Sequence, residues 1–383
     1  MRKNFIKLLI VTAIVILIVS LFVGCKKDED KPSDESKSQI TASVDEAVMV
    51  VGESFYLDYS IKADDENKID ENVVVEYTVE GDSVKVDENG VVSAEKTGES
   101  AVSIKIKDTD QTARCKIYVC NLVIDANANK PKTAKQSMSS KFAMAIDADS
   151  SVTKKNYGGT LGETLFDNFK DGLAKAKQDD LIIVREGSYD EQVAISQSVT
   201  IRGMNTPKLK GVNIQKNVSV TLENLSFSDS TYPEGNDARV YVQSGASLVM
   251  SNCVLSTTST EELSGGYAVF AENQVKSIDL TKNTISNFRY GVYVCPTDGT
   301  VKIGENKLSN MDVGIGLDVR QENSDENYPT KGEIKKNEYN EVKSKTQFLH
   351  HGENYSGEFD YEDNELENAS KDEGQTGGSG LTE

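Results

Sequence analysis

The chain has 383 residues, enough for two folded domains, and its 28 Gly and 6 Pro exclude a fibrous or proline-rich polymer. Hydrophobic residues make up 37% of it and aromatic residues 7%, which suffices for β structure when burial is repetitive. The formal net charge of -20 argues against nucleic acid as a partner, and it repels polyanionic sugars unless a local basic patch or a cation offsets it.

The N-terminal segment has the features of an export signal. Three basic residues precede an apolar run over 8–23, and the sequence then reads LFVGC. This resembles the lipobox of bacterial lipoprotein signals, with Phe22 where the family usually has Leu. The resemblance implies that 1–24 is a signal peptide, that Cys25 carries a lipid, and that the protein is held outside the cytoplasm at the bacterial cell membrane or surface. An uncleaved membrane anchor is the alternative, because the apolar run is long enough to cross a bilayer.

A polar tether and a β-sandwich are predicted next. Residues 25–39 are too charged to pack. Over 40–121, segments such as VVVEYTV and SAVSIKIKD alternate apolar and polar residues between Gly-containing turns, which indicates an immunoglobulin-like sandwich. The line VDENGVVSAEKTGESAVSIKI resembles the group 2 bacterial immunoglobulin-like (BIG2) domain. That resemblance implies a spacer or an adhesive module without catalytic residues.

Cysteine and histidine spacing predicts no metal site. Cys115 and Cys120 lie in RCKIYVC on opposite faces of one predicted strand, about 16 Å apart, so they cannot form a disulfide with each other. The chain has only 2 His, which argues against zinc. We therefore expect no metal and no cofactor, and Ca²⁺ is the alternative.

A short helix and a second repetitive domain are predicted after a linker, 122–157. Thr160 and Glu163 form a capping box ahead of apolar residues at helical spacing. The sequence DDLIIVREGSYDEQVAISQSVTIRG then reads as strand, turn and strand. This order resembles the opening of right-handed parallel β-helix proteins of the pectin lyase superfamily. The resemblance implies an all-β chain with a helix-capped β-helix over 158–369 and a disordered tail over 370–383.

The C-terminal half repeats one unit, a rung of the expected β-helix. The position three residues beyond the second inward residue of each first-face strand is Leu225, Cys253, Asn283, Asn306, Asn337 and Asn364, at intervals of 28, 30, 23, 31 and 27. Stacked rungs place equivalent side chains about 4.8 Å apart, so these asparagines are expected to form an inward hydrogen-bonded ladder. Function is then expected on the outward columns.

The outward column of the first face mixes charges. It consists of Thr221, Val249, Asp279, Lys302, Glu333 and Asp360. A solvated ladder of opposite charges is the simpler interpretation. The catalytic alternative is a lyase groove in which acidic residues such as Asp279 and Glu333 bind Ca²⁺ and Lys302 acts as the base.

The outward columns of the third face combine aromatic and polar residues. The aromatic column is Tyr241, Phe270 and Tyr293, continued by Gly316 and Leu349, and beside it stand Gln243, Glu272, Cys295, Asp318 and His351. Aromatic side chains on adjacent rungs predict a flat strip on which a sugar chain could stack, unless the loops SDSTYPEGNDA and STTSTEELSGG cover it. Glu272 and Asp318, about 9.6 Å apart, also have the separation of an inverting carboxylate pair.

Three functions are compatible with these patterns. The Arg-Pro-Trp motif of pectin methylesterases, the Gly-His-Gly motif of polygalacturonases and the Arg-x-Pro-x-x-Arg run of pectate lyases have no counterpart in the chain. The favoured hypothesis is a lipid-anchored surface protein whose β-helix binds a glycan or another surface ligand without catalysis. The alternatives are a polysaccharide lyase or glycosidase, and a structural or adhesive envelope component.

Overall fold

The computed structural model describes residues 39–62, 73–129, 158–229, 237–257, 266–318, 331–349 and 359–362. The predicted signal peptide and tail, and the individual residues Cys25, His351 and Asn364, lie outside these ranges. One compact unit comprises Ile40–Ser60 and Asn72–Glu383, and the other, Met1–Gln39 with Ile61–Glu71, lies almost wholly outside the described residues. Within the described ranges, no helix has both the length and the apolar character needed to span a bilayer.

The N-terminal strands form an immunoglobulin-like sandwich. They are β1 (Gln39–Ala42), β2 (Glu46–Val50), β3 (Ser54–Tyr56), β4 (Tyr59–Lys62), β5 (Val75–Gly81), β6 (Val84–Val86), β7 (Val91–Ala94), β8 (Gly98–Ile106) and β9 (Thr112–Cys120). The main sheets have the orders β2-β9-β8-β5 and β3-β7-β6, and β1 pairs with β4. Burial alternates along β9 from Thr112 to Val119, so one side of this strand packs into the sandwich core.

The β-helix begins one residue after the sandwich ends. Strand β10 (Leu122–Ile124) pairs in parallel with β12 (Asp180–Val184), so the segment predicted as a linker starts with a strand of the next domain. Three residues are too few for a periodic pattern to be recognised in the sequence. On its other edge, β10 pairs with β11 (Leu165–Phe166).

The capping helix is present but starts later than the sequence indicated. Helix α1 (Phe169–Lys175) has Asn168 as its N-cap, and the Asn168 side chain accepts a hydrogen bond from the backbone N–H of Asp171 at 2.8 Å. The predicted capping box at Thr160 and Glu163 is wrong, because the intervening apolar residues pair as β11. Thr160 and Glu163 instead close a turn through a backbone hydrogen bond of 3.0 Å.

The β-helix winds through three faces. Its further strands are β13 (Ser188–Ile195), β14 (Val199–Gly203), β15 (Lys208–Ile214), β16 (Ser219–Glu223), β17 (Ser226–Asp229), β18 (Ala238–Val242), β19 (Ser247–Ser251), β20 (Val254–Thr257), β21 (Tyr267–Ala271), β22 (Ser277–Thr281), β23 (Thr284–Ser286), β24 (Tyr290–Val294), β25 (Thr300–Gly304), β26 (Lys307–Asp318), β27 (Lys331–Lys335), β28 (Glu338–Leu349) and β29 (Phe359–Glu362). Strands β12, β14, β16, β19, β22, β25, β27 and β29 form the first face. Strands β17, β20 and β23 belong to the second face and β18, β21 and β24 to the third, and the longer β13, β15, β26 and β28 run along both.

The predicted rung register is confirmed. Leu222, Met250, Leu280, Ile303, Ile334 and Tyr361 are successive partners across parallel strands. The first five are almost completely inaccessible to solvent and belong to one continuous core that runs the length of the β-helix. Stacking of equivalent rungs therefore builds the core, as expected of a solenoid.

The sandwich packs directly on the first rungs. Val48, Val50, Cys120, Val123 and Ile183 form a buried apolar cluster between the two. Cys115, on the opposite side of β9 from Cys120, is also buried. The two cysteines therefore face different surroundings, as their odd separation along a strand requires.

Candidate functional site

Asparagines line the bend between the first and second faces. Asn283 and Asn306 are 0% exposed, and Asn337 is 7% exposed. The Oδ1 atom of Asn306 accepts hydrogen bonds from the backbone N–H and the Nδ2 of Asn283, and Oδ1 of Asn337 accepts the same pair from Asn306. Leu225 and Cys253 occupy the earlier positions of this column, and both are buried. The column satisfies buried backbone groups and belongs to the scaffold that supports the outer surface.

The outer surface of the third face carries a cluster of aromatic side chains, here called the aromatic patch: Tyr241, Tyr267, Phe270, Tyr290 and Tyr293. Tyr241, Phe270 and Tyr293 form one column, with ring centroids 5.3 and 5.6 Å apart and interplanar angles of 17° and 4°. Tyr267 and Tyr290 form a second column, with centroids 5.2 Å apart. Rings of the two columns meet edge to face. All of these residues are half-buried.

The rings of the first column stack on one another from rung to rung. Their centroid separations of 5.3 and 5.6 Å and interplanar angles of 17° and 4° show that each ring turns a face towards its neighbour on the next rung. The column ends at Tyr293, because its partner on the next rung is Gly316, which has no side chain to continue the stack.

The last residue of the first aromatic column differs from the predicted one. Gly316 follows Tyr293, as expected, but the next partner is Gln347, and Leu349 pairs with Asp318 instead. Strand β28 continues from the second face to the third without a loop, so its third-face part begins two residues earlier than the predicted alignment assumed.

The second aromatic column was missed because two strands break the alternation of faces. In β21 and β24 the burial pattern has two buried residues in succession, Ala268-Val269 and Gly291-Val292. This irregularity directs both Tyr267 and Phe270 outward, although they are three residues apart. A Cβ on Gly291 would lie 2.6 Å from the backbone oxygen of Gly314, so the close approach at this point requires glycine.

Polar groups border the patch where its strands end. The carboxylate of Glu272 accepts hydrogen bonds from the hydroxyl of Tyr241 and the backbone N–H of Ser244, each at 2.8 Å. Nε2 of Gln243 donates to Oδ1 of Asn213 at 3.1 Å. Gln243 and Glu272 are thus placed next to the first aromatic column. They offer hydrogen-bonding groups beside an apolar surface, the combination found in ligand-binding clefts.

Cys295 stands between the two carboxylates that the sequence paired. It follows β24, between Glu272 on the preceding rung and Asp318 on the next. Burial raises the pKa of the Cys295 thiol to about 12, and the charges of Asp318 and Glu272 contribute. The thiol is therefore neutral at physiological pH and is a poor nucleophile.

The hydroxyls of Tyr241 and Tyr293 also stay protonated. Burial raises the pKa of Tyr241, and the hydrogen bond to Glu272 adds to the shift. Burial raises the pKa of Tyr293 as well, followed by the charge of Asp318. Both side chains act as neutral rings with a hydroxyl donor at neutral pH.

The catalytic candidates of the first face lie in one column, on successive strands. Asp279 is opposite Lys302, and Lys302 is opposite Glu333 on the next strand. Asp279 is half-buried, whereas Lys302 and Glu333 are exposed. Nowhere in the described ranges do three or more His, Cys, Asp or Glu side chains form a group that could hold a metal ion. The geometry is that of a ladder along the surface rather than of residues converging on one point.

A polar cleft between the sandwich and the β-helix was not foreseen. Its volume is about 240 Å³, and its lining includes Glu99, Lys116, Tyr118, Arg202, Asn224 and Asn252. Arg202 pairs with Glu99 at 2.7 Å and with Glu223 at 2.5 Å, so its guanidinium joins the two domains. These partners are far apart in the chain, and their proximity depends on docking that no local pattern reveals.

Comparison with known families identifies the C-terminal domain. Residues 182–380 match the family model described as the right handed beta helix region, which covers just over half of the chain. The chain belongs to the right-handed beta helix family. A search of curated proteins finds no match. The family assignment sets the hand of the solenoid, and the matched residues of the right-handed beta helix contain the whole aromatic patch.

Proposed function

We propose that this protein is a surface protein whose β-helix binds a glycan at the aromatic patch without catalysing a reaction on it. The observation that carries the proposal is the patch itself, in which half-buried rings on three successive rungs adjoin the polar groups of Glu272 and Gln243. Membership of the right-handed beta helix family supports a carbohydrate-related surface or enzyme-like protein in general.

The chemistry of the patch suits a sugar. The C–H faces of a saccharide pack well against aromatic rings, and its hydroxyls need hydrogen-bond partners at the margin. The clustered aromatic rings supply the first requirement, and Gln243, Glu272 and the tyrosine hydroxyls supply the second. Repetition along the rungs would allow a chain of several sugar units to be bound.

The cellular location and the role of the sandwich are further parts of the proposal. The sequence LFVGC supports lipid attachment at Cys25, and the N-terminal sandwich supports a group 2 bacterial immunoglobulin-like module that carries the β-helix outside the cytoplasm. Replacing Cys25 with Ser should leave an unprocessed precursor without lipid label. Normal lipid labelling of this variant would contradict the proposal.

The binding proposal is tested by screening the purified protein on a glycan array and measuring affinity for the hits by calorimetry. Tyr241→Ala and Tyr290→Ala remove rings at opposite corners of the patch, and each should weaken binding about tenfold. Val249→Ala is the control, since this residue is 41% exposed on the first face. Unchanged binding in both tyrosine variants would refute the proposal. Release of unsaturated or reducing ends from a bound glycan would show an enzyme instead.

A further inference from the structure

We propose that the aromatic patch selects a glycan whose sugar units carry a free amine, and that it rejects polymers of uronic acids. This inference rests on the proposed glycan-binding function and names the class of its ligand. It is drawn from the charges that border the patch.

One border of the patch holds a fixed negative charge. Glu272 accepts one hydrogen bond at each carboxylate oxygen, from Tyr241 and from the backbone of Ser244. These contacts hold the carboxylate beside the first aromatic column. A carboxylate has about four acceptor positions, so Glu272 keeps the capacity to pair with an ammonium group of a ligand.

A second negative charge stands at the same border. Asp318 lies two rungs from Glu272, and its charge acts on both the Tyr293 hydroxyl and the Cys295 thiol. Glu272 therefore stands beside the rung of Phe270, at the middle of the first aromatic column, and Asp318 stands beside the rung of Gly316, one rung beyond Tyr293. A polyanion lying on the column would face both of them, and the net charge of -20 would add repulsion at longer range.

The rings themselves attract cations. At the opposite border, the guanidinium of Arg289 lies 5.5 Å from the centroid of the Tyr290 ring, so one ring of the patch already has a cation beside it. Gly316, the partner of Tyr293 on the next rung, has no side chain to stack on that ring, so this face of Tyr293 can receive an ammonium in the same way. Aromatic faces next to two carboxylates are complementary to a protonated amine on a sugar.

The test uses matched ligands on the full chain. A chitosan oligosaccharide carries free amines, its fully N-acetylated counterpart has the same backbone without charge, and an oligogalacturonate carries carboxylates. Calorimetry at pH 5.5 and low salt should show at least tenfold tighter binding of the chitosan form than of the acetylated form, and no measurable binding of the galacturonate. The preference should shrink as salt is added.

Variants separate this inference from the function on which it rests. Glu272→Gln and Asp318→Asn should each lower the affinity for the chitosan form more than the affinity for the acetylated form, so that the preference for the amine falls. Glu305→Gln, an exposed acid at a first-face bend, should leave the preference intact. Equal binding of the two matched ligands with dependence on Tyr241 would refute the amine preference alone, as would tighter binding of galacturonate. Absence of binding to every sugar of an array would overturn both proposals.

Discussion

Asn283 donates two hydrogen bonds to a single atom of Asn306: its backbone N–H and its Nδ2 both lie 2.9 Å from Oδ1. Asn306 repeats the arrangement with Asn337, at 3.0 Å for each bond. The Nδ2 of Asn306 also donates to the backbone oxygen of Leu280 at 2.8 Å. One amide thus holds three successive rungs together in the interior.

Replacing Asn306 with Leu should lower the free energy of unfolding by at least about 2 kcal/mol, because several buried groups lose their partners together. The measurement is chemical denaturation followed by circular dichroism. Asn340→Leu is the matched control, since Asn340 is exposed on the second face, and it should change stability by less than about 0.5 kcal/mol. Similar small changes in both variants would show that the asparagine column contributes little to stability.

The repeating part of the fold was predictable because the same residue types return at each rung. The spacing from Leu222 to Met250 and Leu280 sets the register, and Asn283, Asn306 and Asn337 follow from it by a constant offset. A solenoid makes long-range pairing nearly equivalent to local repetition. The unequal spacing between equivalent positions does not change the predicted register, because the extra residues lie between the strands.

Glu53 should be important for the attachment of the sandwich to the β-helix. Its carboxylate accepts hydrogen bonds from the backbone N–H groups of Val50 at 2.7 Å and of Gly158 and Gly159 at 2.9 Å each. The two glycines have φ of 98° and 92°, a conformation in which successive N–H groups can converge on an anion. Glu53→Ala should therefore lower stability by about 1 to 3 kcal/mol and speed hydrogen exchange at both glycines.

Glu88→Ala provides the comparison, because Glu88 is an exposed residue in another turn of the sandwich. It should alter neither stability nor exchange at Gly158 and Gly159. If Glu53→Ala behaves in the same way as this variant, the carboxylate contact does not fasten the two domains.

Cys295 should react slowly with alkylating reagents in the folded protein. Its pKa is raised from 9.0 to about 12, first by burial and then by Asp318 and Glu272, and only the thiolate reacts. Since the folded state holds the proton more tightly, the associated stabilisation is complete below about pH 9 and is lost as the pH rises towards 12. Iodoacetamide labelling read by mass spectrometry should be far slower in the native chain than in urea. Equal labelling rates in the native chain and in urea at pH 8.5 would contradict the raised pKa of Cys295.

Tyr293 should matter more for stability than Tyr290. Tyr293 contacts the rings of Phe270, Tyr267 and Tyr290, whereas Tyr290 contacts only two rings of the patch. Truncating Tyr293 to Ala is expected to cost about 2 kcal/mol and truncating Tyr290 about 1 kcal/mol, as judged from denaturation midpoints. The reverse order would mean that the ring contacts do not set the stability of this face.

The rest of the site was not predictable, for physical reasons visible in particular residues. Tyr267 and Tyr290 face outward only because the alternation is interrupted at Ala268 and Gly291, and a strict two-residue period assigns them to the wrong side. The pairing of Arg202 with Glu99 depends on how the domains dock. Neither feature follows from a local pattern.

The most direct test of the account places a fluorescent reporter inside the aromatic patch. The chain has 0 Trp, so Phe270→Trp introduces a single indole at the centre of the first column, and Val249→Trp introduces one on the first face as a control. Titration with a sugar that binds by calorimetry should shift the emission of the Trp at 270 to the blue and protect it from acrylamide. The Trp at 249 should not respond. Calorimetric binding that leaves the emission at 270 unchanged would contradict the claim that the aromatic patch is the ligand site.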